Sequence, residues 1–137
     1  MMTPRRTTTG QVLERMMPPA FEHGGYEFKK QQRIGQRFGG GAHWIDWLVE
    51  KDGKVILVSD KWQGTSGTAE QKVPFEVLCL QEAVDLKKGL RAYLVLGGDG
   101  WKLRDFFVRD LKKFLKMPDV RIMTLESFIT LASAGKL

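Results

Sequence analysis

Two residue types that build covalent and metal scaffolds are scarce in this chain. It has one cysteine, Cys79, and two histidines, His23 and His43, among 137 residues. A disulfide framework and a structural zinc site are therefore excluded within one chain. Cys79 falls in an apolar helical run and is expected to be a buried core thiol. No apolar run reaches the length of a membrane span. Residues 1–6 (MMTPRR) lead into polar residues rather than the apolar core of a secretion signal, so a cytoplasmic protein is expected. There is no internal repeat, no low-complexity tract and no linker. The expectation is one domain over residues 1–137, with residues 1–9 a flexible basic lead. The Gly39-Gly40-Gly41 run has no Walker pattern and precedes no helix, which argues against a nucleotide-binding loop.

What is present points to a well-packed basic domain. Hydrophobic residues make up 42%, with eight Phe and four Trp, and charged residues 28%. That composition supports a proper core and argues against disorder. The net charge is +6 and the sequence pI about 9.6. A positive balance favours polyanionic partners, nucleic acid foremost.

The most informative stretch runs from His43 to Glu76. Lys51-Asp52-Gly53-Lys54 is a hairpin turn, because Asp and Gly tolerate the positive φ that a tight turn demands. Strands are expected over residues 43–50 and 55–61. With Asp52 and Gly53 at the tip, Lys51 faces Lys54, Leu48 faces Leu57 and Asp46 faces Ser59. Alternation then directs Asp46, Ser59, Lys61 and Gln63 to one side and Asp60 to the other. A polar loop follows, and after it a helix carrying Glu70 and Glu76. Thr68 and Gln71 have the spacing of a capping box, and Val73, Val77, Leu80 and Val84 form its core stripe.

This succession (Asp46, a hairpin, Ser59-x-Lys61, a downstream glutamate) resembles the active site of the PD-(D/E)XK nuclease superfamily, whose fold is restriction-endonuclease-like. Asp46 matches the first acid and Lys61 the lysine. Ser59 stands where the second acid is usual. Some restriction enzymes of the superfamily share this departure and take the missing carboxylate from the following helix. The resemblance implies a catalytic set of Asp46, Ser59, Lys61 and either Glu70 or Glu76. It also implies Mg²⁺ or Mn²⁺ as cofactor. Glu70 is preferred with Asp46 as metal ligand because the loop before it is short, whereas Glu76 better matches the lysine-to-glutamate spacing of those enzymes. Glu22, in the N-terminal region, is a further candidate acid.

The remaining chain supplies a frame. A short helix is expected over residues 10–17, ended by Pro18-Pro19, with a further turn over 19–23. Residues 26–38 read as a polar first strand carrying Lys29, Lys30, Arg33 and Arg37. With Gln63 these are the candidate nucleic-acid contacts, since Arg and Lys bind phosphates and Gln can read base edges. The helix after the hairpin should end on a Gly89 cap. A strand follows over 90–96, an amphipathic helix over 101–116, a strand over 120–125 and a helix over 125–134. The fold class is α/β, a mixed sheet with an αβββαβ core and C-terminal additions.

Function follows as an expectation: a Mg²⁺-dependent DNA endonuclease of restriction, homing or junction-resolving type, acting as a homodimer or higher oligomer where both strands are cut. An Asp and a Lys on one hairpin face are equally what a solvated cross-strand ion pair looks like. The rival expectation is therefore a non-catalytic nucleic-acid-binding module of the same fold. A third is a protein-interaction domain presenting Trp62 and Trp101.

Overall fold

The computed structural model describes residues 10–65 and 67–137. The expected residues 1–9 lead lies outside them. Helix α1 (Gly10–His23) opens the chain, followed by strands β1 (Glu27–Gln36), β2 (Ala42–Lys51) and β3 (Lys54–Trp62). Helix α2 (Ala69–Asp85) leads to β4 (Arg91–Gly97). An irregular helical segment comes next, a π turn over Phe106–Asp110 and a 3-10 turn over Leu111–Lys113. Strand β5 (Val120–Thr124) and helix α3 (Leu125–Ser133) close it.

The five strands form one sheet in sequence order, with β1-β2-β3 antiparallel and β3-β4-β5 parallel. Antiparallel neighbours need only tight turns, whereas the parallel pairs need crossovers. The β3→β4 and β4→β5 crossovers step in the same direction across the sheet. A constant right-handed crossover then puts both connecting segments on one face. That is where Val73, Val77 and Leu80 of α2 pack with Phe107 and Leu111 of the irregular segment, over Leu57, Leu94 and Leu96. The other face is covered by α1 and α3, whose Met17, Phe21 and Phe128 pack on Trp47, Val58 and Tyr93. Each fully buried Leu, Val or Phe there contributes roughly 1.5–3 kcal/mol.

The hairpin register follows the turn. Lys51 pairs with Lys54 and Leu48 with Leu57, with Asp52 at φ 54° and Gly53 at φ 77°. Elsewhere local signals yield to packing. Pro18 and Pro19 sit inside α1 and Pro74 inside α2, and neither helix is divided. Thr68 makes no side-chain cap, so there is no capping box. The left-handed residue after α2 is Lys87 at φ 65°, not Gly89. Gly89 is small for another reason: a Cβ there would stand 2.7 Å from Leu57 Cγ. The expected 101–116 helix is short and irregular, and Leu103 and Phe114 are exposed rather than part of its buried face. Cys79 is buried, as expected.

Candidate active site

The β2–β3 ladder runs from Lys51↔Lys54 to Trp47↔Val58, while β3 continues to Trp62. The fork between the strands opens at Asp46, where the alternation of β2 breaks. Trp47 and Val49 face the α1 side of the sheet, yet Ile45 faces the α2 side. Strict alternation would have put all three together. Opposite Asp46, Gln31 adopts φ 52° and drops out of the pairing between Lys30↔Trp47 and Gln32↔Ile45. A local break in strand geometry of this kind re-aims a side chain without shifting the register. Here the Asp46 carboxylate turns into the gap. Its Oδ2 accepts from the Asp60 amide at 2.8 Å and from Ser59 Oγ at 3.3 Å, and its Oδ1 from Gln31 Nε2 at 3.3 Å. The carboxylate thus takes a backbone donor that a continuous ladder would have used.

Ser59 and Lys61 share the α2 face of β3, and α2 presents Glu76 to both. Ser59 Oγ donates to Glu76 Oε2 at 2.9 Å, and Lys61 Nζ lies 3.8 Å from Glu76 Oε1. One hydroxyl therefore stands between two carboxylates, with an ammonium group on the far side of the second. Both ends of the Lys61–Glu76 pair are largely buried, at 22% and 14% side-chain exposure, so solvent screens them weakly. Burial, with the Glu76 charge adding to it, raises the Asp46 pKa against the opposing Asp60 amide, Ser59 hydroxyl and Lys61 charge.

Glu70 takes a different place from the one its short loop suggested. Its Oε1 accepts from the Leu103 amide at 2.6 Å and its Oε2 from Gln63 Nε2 at 3.4 Å. Burial pushes its pKa up, but the Leu103 and Lys102 amides with Gln63 outweigh that and hold it below the ordinary carboxylate range. The helix accounts for the difference. Six residues turn about 600° at 3.6 per turn, so Glu70 and Glu76 leave the axis on opposite-leaning faces. Gln63 is likewise a strut rather than a surface reader. It is 6% exposed, its Oε1 accepts from the Ala69 amide and its Nε2 donates to the Gly100 carbonyl. Gly100 and Gly98 permit this approach, since a Cβ on either would overlap the backbone of Thr65 or Gln63.

From α1 it is Glu14, not Glu22, that comes to the fork, and both are exposed. Glu14 lines a cleft of about 180 Å³ with Lys30, Gln31, Asp46 and Asp60, and lies 3.9 Å from Lys30. Asp60 Oδ2 accepts from Trp47 Nε1 at 2.7 Å. Burial, then the neighbouring Asp46 charge, push the Asp60 carboxyl up to about 7. Sequence reasoning put Asp60 on the face opposite Ser59 and counted Gln31 with the nucleic-acid-contacting strand, but gave the side chains of Asp60, Gln31 and Glu14 no place in the catalytic site. The strand parity was the available signal for Asp60, and none existed for Gln31. Lys29, Lys30, Arg33 and Arg37 are all exposed along β1 and its following loop, with Arg37 5.9 Å from the Phe75 ring centroid.

The donor set suits a hard divalent cation. Such an ion takes oxygen ligands, and Mg²⁺ is commonly held by only one or two carboxylates while keeping several waters. Asp46 and Glu76 supply two carboxylates bridged by one hydroxyl, with the Lys61 ammonium group beside Glu76. Among the described residues no group of three or more His, Cys, Asp or Glu side chains gathers as a metal cage. A cavity of about 880 Å³ lies by Arg91, Asp119 and Arg121 at the opposite ends of β4 and β5 and includes no hairpin residue. Among the described residues no helix is long and apolar enough to cross a membrane.

No curated protein matches the chain. A solved structure, titled as the crystal structure of a protein of unknown function, AF1548, is similar over 84% of this chain at 13% identity and a TM-score of 0.48. The match takes in 55% of that protein's length, so this chain spans about half of it. The family model described as a PD-(D/E)XK nuclease superfamily domain matches residues 5–136. With that match over nearly its whole length, the chain belongs to the PD-(D/E)XK nuclease superfamily.

Proposed function

We propose that this protein is a divalent-metal-dependent DNA endonuclease, with Mg²⁺ or Mn²⁺ held by Asp46 and Glu76. The observation that carries the reading is the Ser59 hydroxyl set between those two carboxylates, with Lys61 beside Glu76. The helix glutamate stands in for the acid missing from the strand. The bound cation would supply Lewis acidity toward the phosphate and a lowered pKa for a coordinated water. The Asp60 amide and Ser59 hydroxyl hold the Asp46 carboxylate in one orientation. Lys61 Nζ, anchored by Glu76, directs its remaining N–H bonds to the attacking water or to the phosphate oxygen that gains charge. Lys29, Lys30, Arg33 and Arg37 contribute phosphate contacts along β1. A single active site cuts one strand, so double-strand cleavage would call for a homodimer or two encounters.

The test is incubation of supercoiled plasmid with the protein and Mg²⁺ or Mn²⁺, beside Asp46→Ala and Lys61→Ala. Nicking by the wild type that falls by at least about 10² in both variants supports the enzyme. Salt-sensitive binding with intact plasmid in every lane would instead favour a binding module that has lost its chemistry.

A further inference from the structure

Among the described residues, two buried polar atoms beyond the fork on the α2 face lack a hydrogen-bond partner: His43 Nε2 and Glu82 Oε1. Burying such groups unpaired is costly and uncommon in native proteins. Both side chains line one cavity of about 360 Å³, with Arg37 and Lys88 also on its wall and Ile34 and Leu86 as apolar surface. His43 is 3% exposed. Burial first, with Arg37 adding, lowers its pKa against Glu76 and Glu82. The imidazole is therefore neutral at pH 7, with one N–H to give and one lone pair to accept.

The chemistry of the lining narrows the ligand. A phosphate would meet the Glu82 carboxylate, and a metal cation would meet Arg37 and Lys88. A flat, uncharged group with adjacent donor and acceptor atoms meets neither objection, and its faces suit Ile34 and Leu86. Nucleobases have this form. The cavity lies close to the proposed reaction centre. Glu82 is six residues along α2 from Glu76, about 9 Å at 1.5 Å per residue. His43 is three residues along β2 from Asp46, about 10 Å. A strand bound at the fork covers that distance within a few nucleotides. Arg37 and Lys88 can hold the backbone beside the cavity. Phe75 and Phe38, tilted at 57° with ring centroids 6.5 Å apart and each more than two-fifths exposed, offer apolar ring faces to a neighbouring base.

We infer that the His43–Glu82 cavity receives an unpaired nucleobase a few nucleotides from the scissile phosphate, so that the preferred substrate is DNA with a single-stranded or extruded base at that position. The inference rests on the nuclease reading for its substrate class.

Binding can be measured without metal, so that no strand is cut. Fluorescence anisotropy would compare a labelled single-stranded oligonucleotide with a strand of equal length and charge bearing abasic sites. The proteins are the wild type, Glu82→Ala and His43→Gln, with circular dichroism confirming that each is folded. The wild type is expected to prefer the base-bearing strand by about tenfold, a difference of 1.4 kcal/mol. Each substitution should shrink that preference, the ratio of the two affinities, to less than about threefold. A preference that survives in both variants, as stacking on Phe75 alone would give, overturns the cavity assignment. So does equal wild-type affinity for the two strands, which leaves the nuclease reading standing. Failure of the wild type to bind either strand at low salt counts against both.

Discussion

Glu70 and Glu76 lie on one helix, six residues apart, and do opposite things. Glu70 has its oxygens taken by a backbone amide and the Gln63 amide, so it latches the loop before α2 to the loop after β4. Glu76 has its oxygens on a hydroxyl and near an ammonium group. Rigid backbone donors depress a carboxylate's pKa and use up its lone pairs. A hydroxyl rotates and an ammonium group is mobile, so Glu76 keeps coordination capacity. The lesson is that the donors around a carboxylate, more than its nearness in sequence to a motif, separate a strut from a candidate ligand.

The sharpest way to break this contrast is a pair of isosteric substitutions. Glu76→Gln should reduce plasmid nicking by at least about 10², whereas Glu70→Gln should stay within about tenfold of wild type. The reverse ranking in a nicking time course would exchange their roles. Ser59→Ala should have a smaller effect, about tenfold on the cleavage rate, because it frees the two carboxylates without removing either. An undiminished rate would deny the hydroxyl any positioning part.

Asp60 extends the comparison to the other face of the sheet. Its folded pKa of about 7 lies above the ordinary 3.8. Between those values the folded chain keeps a proton that the unfolded chain has lost, so stability falls as pH rises from about 4 to 7. Asp60→Asn keeps an acceptor for Trp47 but removes the titration. Metal-free denaturation curves should show it flattening that slope, with a gain on the order of 1–3 kcal/mol at pH 8. Parallel pH profiles for the two proteins would refute the assignment.

Glu70 should show the opposite sign, and the smallest effect. Its folded pKa lies below the ordinary value, so its contribution is present above the unfolded pKa of about 4.5 and is lost as pH falls through the folded value. Glu70→Gln should lower the melting temperature at pH 7 by a few degrees. The gap should narrow on acidification, as differential scanning fluorimetry across pH 3–7 would reveal.

Much of the site could be read before any coordinates. Asp52-Gly53 admits positive φ at both positions and so specifies which residues pair, and the two-residue period of a strand then separates Ser59 and Lys61 from Asp60. The apolar stripe of α2 said equally well which face of that helix enters the core. These are local properties, set by backbone sterics and by the spacing of side chains along a regular element. The choice between Glu70 and Glu76 was not local. It depends on how Gln63 and Thr65 are held, and the close approach of Gly98 and Gly100 determines that from 35 residues away in sequence. The break at Asp46 was hidden for the same reason. A break in alternation is energetically settled by what packs on each side of the sheet, and here Ile45 and Trp47 are claimed by opposite cores. Periodicity and turn chemistry therefore determined the elements and the faces of their residues, while the meeting of Asp46, Ser59, Lys61 and Glu76 at one fork was decided by long-range packing.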